Sequence, residues 1–219
     1  MRLRNAIVGL FGLLAATAAH AGAPAPLVSN GDFDFYVLTL SWSPGFCDTG
    51  GDEKSSDQCA VGSGQGFVVH GLWPDNQRGR DPQDCGGDDN VSAEALAQTR
   101  GVYPNAGLAR YEYRKHGTCT GLGAENYFAA VKYARDQFVI PDMLKAPRER
   151  ISTSPADIAS AFMAVNAHLG ADNMAITCAR GELVDVRFCI SKTLGAFVNC
   201  PSVAGHTCRS SSISVAPPR

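Results

Sequence analysis

Residues 33–42 read Phe33-Asp34-Phe35-Tyr36-Val37-Leu38-Thr39-Leu40-Ser41-Trp42 and run straight into Ser43-Pro44-Gly45. The stretch is dense in aromatic and β-branched residues, which suit a pleated, packed surface, and Pro44 and Gly45 stop it. It therefore reads as a strand buried on both faces. Working outward, Phe67-Val68-Val69 is a second short apolar run after a Gly-rich stretch. It reads as a strand that delivers His70 at its end. Residues 74–90, rich in Gly, Asp and Pro, read as a loop. From Leu183 to Ile190 the chain alternates. Val184, Val186, Phe188 and Ile190 face one way, with Asp185 and Arg187 between them, as in a half-buried strand.

Helical patterns fall between these strands. A short helix is expected over Ala93–Gln98 and another over Leu108–Thr118, bounded by Gly107 and Gly117. Asn126–Phe138 places Phe128, Val131 and Phe138 on one face before Pro141. Pro155–Leu169 is the clearest. Ser154 can cap it, Pro155 opens it, and Asp157 sits near its positive end. Ile158, Phe162, Val165 and Leu169 form its stripe, and Gly170 ends it. Strands and helices mix without a strict βαβ rhythm. The expectation is an α+β fold: a single domain with a central, mostly antiparallel β-sheet flanked by helices.

The first residues read as a leader. Arg2 and Arg4 precede an apolar run from Ile7 to Ala16, and Ala19-His20-Ala21 has the small-x-small form of a signal peptidase site. Residues 1–21 are thus expected to be a signal peptide and residues 22–219 the mature domain. A retained membrane anchor is the competing reading, and the run is too short for it. Cleavage leaves 198 residues (219 less 21), enough for one domain with a sizeable core. No linker or internal repeat divides it, and only Ser210–Arg219 reads as a loose polar tail. The eight cysteines, at 47, 59, 85, 119, 178, 189, 200 and 208, all follow residue 21. An even number behind a leader implies disulfides made in an oxidising compartment, so the protein is expected to be periplasmic or secreted. Spacing alone leaves the pairing open. The net charge of −2 becomes −4 once Arg2 and Arg4 leave with a segment that holds no acid. This excludes a basic protein that coats nucleic acid. Any polyanion site must be local.

Two segments carry chemistry. In His70-Gly71-Leu72-Trp73-Pro74, an imidazole followed by glycine can point into a cleft, and Trp73 offers a flat surface on which a base can stack. Plain packing is the alternative for an isolated His-x-x-Trp. In Tyr111-Glu112-Tyr113-Arg114-Lys115-His116-Gly117-Thr118-Cys119, helical spacing puts Glu112, Lys115 and His116 on one face. A solvated ion pair is the alternative for Glu-x-x-Lys alone, but an imidazole joins it and Cys119 can pin the helix end. Two histidines exchange protons near neutral pH, and a lysine stabilises charge on a phosphate. RNA carries its own nucleophile, the 2′-hydroxyl, so such a set needs neither a nucleophilic residue nor a metal. No Gly-x-Ser-x-Gly elbow and no zinc-ligand spacing is present. His168 reads as a residue near a helix end, with a charge–dipole role. His206, between Cys200 and Cys208, reads as structural or exposed. No metal and no cofactor is expected.

Together, residues 67–76 (FVVHGLWPDN) and 111–119 (YEYRKHGTC) resemble the two active-site segments of the ribonuclease T2 family, and residues 33–42 with Pro44 and Cys47 resemble its first strand. The variant Tyr-Glu-Tyr resembles bacterial periplasmic members. The resemblance implies an endoribonuclease that converts single-stranded RNA to a 2′,3′-cyclic phosphate and then to a 3′-phosphate. By similarity His116 is the general base, His70 the general acid, and Glu112 and Lys115 support the transition state. Trp73, Asp75 and Tyr111 would contact substrate. It also implies the pairs Cys47–Cys59, Cys85–Cys119, Cys178–Cys208 and Cys189–Cys200. Two positions depart from the pattern. Tyr111 stands where fungal and plant members often have a third histidine, and a tyrosine cannot carry positive charge. Ser41 stands where several plant members have a base-contacting glutamine. RNA is the expected partner, with no membrane anchor after leader removal and a monomeric state. A secreted binding or toxin-like module on the same fold is the alternative.

Overall fold

A computed structural model describes residues 27–53 and 56–219; the predicted leader, residues 1–21, lies outside the described residues. Strand β1, Phe35–Trp42, is buried at every position. It lies between β2 (Phe67–Asp75) and β5 (Glu182–Ser191) and runs antiparallel to both. β4 (Met174–Ala179) adds antiparallel to β5. β3 (Ile151–Thr153) pairs antiparallel with β6 (Ile213–Val215), and β6 meets β5 in one parallel pair, Glu182 with Ser214. The helices among the described residues are α1 (Ser43–Asp48), α2 (Ser56–Cys59), α3 (Ala93–Ala97), α4 (Ala106–Lys115), α5 (Ala124–Asp136), α6 (Asp142–Lys145), α7 (Pro155–Val165) and α8 (Pro201–Ala204). This is the expected α+β domain around one mostly antiparallel sheet.

Alternation along β1 assigns its two faces. Tyr36, Leu38, Leu40 and Trp42 enter the main core with Val186 and Phe188 of β5, Phe128 and Val131 of α5, and Ile158 and Phe162 of α7. Each such side chain contributes about 1.5–3 kcal/mol by burial. The opposite face starts apolar, with Phe35 and Val37 against Ala175 and Cys189 and with Trp73 packed on them. Farther along, it turns polar through Thr39, Ser41, Asp185 and Arg187. That polar half lies under the site. Disulfides join Cys47–Cys59, Cys85–Cys119, Cys178–Cys208 and Cys189–Cys200, the pairing that the resemblance implies.

Several sequence expectations need correction. The first strand begins at Phe35, not Phe33. β2 does not end at His70 but continues to Asp75, so part of the predicted 74–90 loop is strand. The pairing steps from Thr39–Gly71 to Leu40–Val69, which leaves His70 as the extra residue of a bulge. The helix expected to reach Thr118 stops at Lys115, with His116 as its cap at φ −120° and ψ −41°. α7 is capped by Ser154, which accepts from the Asp157 N–H, but it ends at Val165, short of Leu169. There the Asn166 side-chain amide bonds to the Phe162 and Val139 carbonyls and competes with further helix. His168 thus lies beyond the helix, at φ +66°. In β5, the register shift near Cys178 turns Leu183 into the core in place of Val184, and Asp185 is buried instead of facing water. The predicted loose tail is ordered: it supplies β6, the Ala216 carbonyl accepts from the Trp42 indole at 3.1 Å, and Arg219 meets Asp48 at 2.8 Å and Asp52 at 2.7 Å.

Candidate active site

The site forms where the bulge of β2 meets the C-terminal end of α4. Asn105 opens that helix by accepting from the Leu108 N–H at 2.9 Å. The helix then sends Glu112 against the strand at Gly71. No side chain fits there, because an added Cβ would lie 2.8 Å from Trp73 Cδ1 and closer still to Trp73 Nε1 and Glu112 Oε2. The glycine is required by close approach. Glu112 is almost wholly buried, and its Oε2 accepts from the Trp73 indole N–H at 2.6 Å. Two ties hold the end of α4 to the loop after β2. The Asp84 N–H donates to the Lys115 carbonyl at 2.7 Å, and Cys85 is bonded to Cys119.

The two imidazoles flank Trp73. The His70 ring stands edge-on to it, with centroids 5.3 Å apart, and the His116 ring is tilted 32° to it at 5.4 Å. His70 Nε2 lies 3.8 Å from Glu112 Oε1, and its side chain remains 38% exposed. Burial lowers the pKa of both histidines. For His116, burial, Lys115 and His70 together bring it to about 4, and its Nδ1 is buried without a hydrogen-bond partner among the described residues. For His70, burial outweighs the favourable field of Asp185, and Arg187 and Lys115 lower it further. Glu112 moves the other way. Burial pushes its carboxyl up to about 7, although the Trp73 bond and Lys115 both favour the anion. The free site therefore resists positive charge on its imidazoles and negative charge on its carboxyl.

The remaining predicted residues lie around this centre. Lys115 Nζ is 3.2 Å from the Tyr111 hydroxyl and 5.5 Å from that ring's centroid, so the two form one exposed unit beside His116. Asp75 ends β2, and burial plus a shared hydrogen bond with Asp81 raises its carboxyl to about 7. A cleft of about 560 Å³ opens beside His70 and Tyr111, lined also by Ser41, Phe46, Gln58 and Leu108. Arg187 was not singled out by sequence. Its guanidinium lies 5.5 Å from the Trp73 ring centroid, and β5 alternation alone made it an outward residue. Among the described residues the only grouping of three metal-type donors is Cys47, Asp52 and Cys59, and its two sulfurs are joined to each other.

The chain is similar to known proteins in sequence and in fold. A model of the ribonuclease T2 family matches residues 33–200. Ribonuclease DdI of Dictyostelium discoideum is 29% identical over 227 residues, covering 96% of this chain and 97% of that protein. A ribonuclease of Aeromonas hydrophila is 34% identical over 149 residues, covering 68% of this chain and 66% of that one. Among solved structures, that of RNase NT in complex with 5′-AMP is 25% identical, with a TM-score of 0.69 over 86% of this chain and all of that one (100%).

Proposed function

Because the chain belongs to the ribonuclease T2 family and is an endoribonuclease of that type, we propose that it cuts single-stranded RNA by metal-independent transphosphorylation, with His116 and His70 as the proton-transfer pair. The observation that carries this reading is the placement of two imidazoles from separate segments on one indole, above a buried carboxyl.

In the first step His116 takes the proton of the 2′-hydroxyl. With its pKa near 4 it is neutral, and so able to accept, through the mildly acidic range. The 2′-oxygen attacks the adjacent phosphorus, and the phosphorane gathers negative charge. Lys115, exposed beside His116, offsets that charge. Glu112, with its carboxyl raised to about 7, is neutral in acid and can donate a hydrogen bond to a phosphate oxygen. His70 then protonates the departing 5′-oxygen. Its free-site pKa is lowered, and a bound phosphate, as a nearby anion, raises it again. The product is a 2′,3′-cyclic phosphate. In the second step the roles reverse: water replaces the 5′-oxygen, His70 deprotonates it, and a 3′-phosphate results. Trp73 and Asp75 help form one base site, and the cleft beside His70 and Tyr111 holds the other. The disulfides support a periplasmic or secreted protein. No helix among the described residues is long and apolar enough to cross a membrane.

The test is digestion of a defined RNA in excess chelator, with mass analysis of the ends. Cyclic phosphate ends are expected, and His70→Ala and His116→Ala should each lose roughly 10²–10⁴-fold in rate. Undiminished cleavage by the double variant would sink the assignment.

A further inference from the structure

Arg187 of β5 pairs with Thr39 of β1, and Thr39 pairs with Gly71 of β2. The three form one rung across the sheet, and that rung ends at the active site. The Arg187 guanidinium lies against Trp73, the same indole that both histidines meet. Its partners within the protein are poor. The nearest carboxylate oxygen, Asp185 Oδ2, is 3.5 Å from Nη2. A charge-assisted bond is about 2.7–2.9 Å long. Arg187 Nε and Asp185 Oδ1 are both buried with no hydrogen-bond partner among the described residues. An under-bonded guanidinium donor of this kind can take an acceptor oxygen from a ligand, which the Asp185 oxygen, itself an acceptor, cannot. The side chain is 30% exposed, so solvent, and hence a ligand, can reach it.

The two cations of the site have different neighbours. Lys115 is next to His116 in sequence and rests on Tyr111. Arg187 comes from two strands away from β2 and reaches the site at Trp73, where His70 and Asp75 feel its field. Asp75 is a weak competitor for it in acid, because Asp81 and burial keep that carboxyl protonated below about pH 7. The protein carries a net negative charge, so one accessible guanidinium on this face is a local attraction for a polyanion.

We propose that Arg187 binds the RNA backbone, taking a phosphate that flanks the cleaved one. The proposal rests on the endoribonuclease reading above. The scissile phosphate must lie between the two imidazoles, where Lys115 serves it. Arg187 reaches the site from β5 rather than from α4, against the Trp73 ring and within the field of Asp75, and is assigned the neighbouring phosphate. A guanidinium forms two parallel bonds to a phosphate, which an ammonium does not.

The probes are 2′-deoxy oligonucleotides, which cannot form the cyclic product: a dinucleotide with a single internal phosphate, and a tetranucleotide. Fluorescence titration at several salt concentrations reads both affinity and salt slope. For Arg187→Gln, tetranucleotide affinity should fall roughly 10-fold. Its log–log salt slope should shrink by about 0.7, the share of one phosphate on a single strand. The dinucleotide should bind as to the parent protein. Arg187→Lys keeps a charge beside Asp185, which guards against misfolding, and should keep the slope while losing part of the affinity. Equal losses on both probes, or an unchanged tetranucleotide affinity in both variants, would overturn the proposal. Cleavage of the matching RNA tetranucleotide by the parent protein separates the two failures. If the parent cuts it and the variants bind normally, only the Arg187 subsite is wrong. If the parent does not cut it, the reading beneath is wrong as well.

Discussion

Replacing Gly71 by alanine adds a single methyl group at the point where β2 and α4 touch. The new Cβ would sit 2.8 Å from Trp73 Cδ1, and nearer to Trp73 Nε1 and Glu112 Oε2. Glu112 is a flexible side chain and can swing away, but it is almost wholly buried and has nowhere solvated to go. The indole is rigid and packed on Phe35, Val37 and Cys189. The 2.6 Å bond between them must therefore stretch or break. Overpacking of this kind costs about 1–3 kcal/mol. For a chain of this size that is a fall in Tm of roughly 2–12 °C, so the variant still folds. Catalysis suffers more. Both histidines lean on the displaced indole, and a shift of about 1 Å costs on the order of 10²-fold in rate. Single-turnover cleavage of a defined RNA, beside a thermal melt, measures both. Gly123→Ser is the control, since the space around Gly123 is open and it merely precedes α5. If Gly71→Ala cuts RNA as fast as the parent, the Trp73–Glu112 contact does not position the histidines.

Other perturbations probe the same arrangement. The pH profile of kcat/KM reports the free protein, so its acid limb should fall near pH 4, where His116 takes up a proton. Its alkaline limb should begin below 6.5 because the pKa of His70 is lowered from there; a bell centred above neutrality would contradict the assigned roles. Glu112→Gln keeps an acceptor for the Trp73 N–H and supplies a donor in place of the protonated carboxyl, so in acid it should retain most activity. Glu112→Ala should lose roughly 10–100-fold by leaving the indole N–H buried and unpaired; equal damage from both would show that the ionised carboxylate is needed. Opening Cys85–Cys119 by double serine substitution should lower Tm by roughly 4–16 °C, as the closed loop is sizeable. It should also slow cleavage, since that bridge ties the loop after β2 to the turn after His116.

The fold was legible wherever local pattern and tertiary burial agree. Phe35–Trp42 is apolar on both sides because it is the central strand, and Ser154-Pro155 starts a helix by bonds that involve only near neighbours. It was illegible where a distant partner decides. The bulge at His70 exists because β1 pairs out of step there, and no residue of β2 announces it. The tail from Ser210 looks like solvent-facing sequence, yet Trp42, Asp48 and Asp52 bind it from far along the chain. The candidate site divides the same way. His70, Trp73, Glu112, Lys115 and His116 stand in two compact segments, so their grouping could be read. Arg187 is one polar position in an alternating strand. Nothing near it in sequence shows that its strand lies beside the one that pairs with Gly71.

The electrostatics of the free site acquire a purpose once substrate charge is included. Burial and Lys115 oppose protonation of both His70 and His116. One of them must nevertheless carry a proton for the leaving oxygen. A phosphodiester entering the cleft supplies the missing anion and raises the proton affinity of the imidazole it lies nearer. Each imidazole already has one carboxylate in its favour, Asp185 for His70 and Asp81 for His116, and Lys115 against it. Binding and proton loading are then one event. The sign follows by linkage: a group whose pKa rises on binding takes up a proton, so affinity must weaken as pH climbs past its free value. The two histidines do not need different intrinsic chemistry to become acid and base. In the proposed mechanism, the side on which the phosphate sits decides which of them carries the proton.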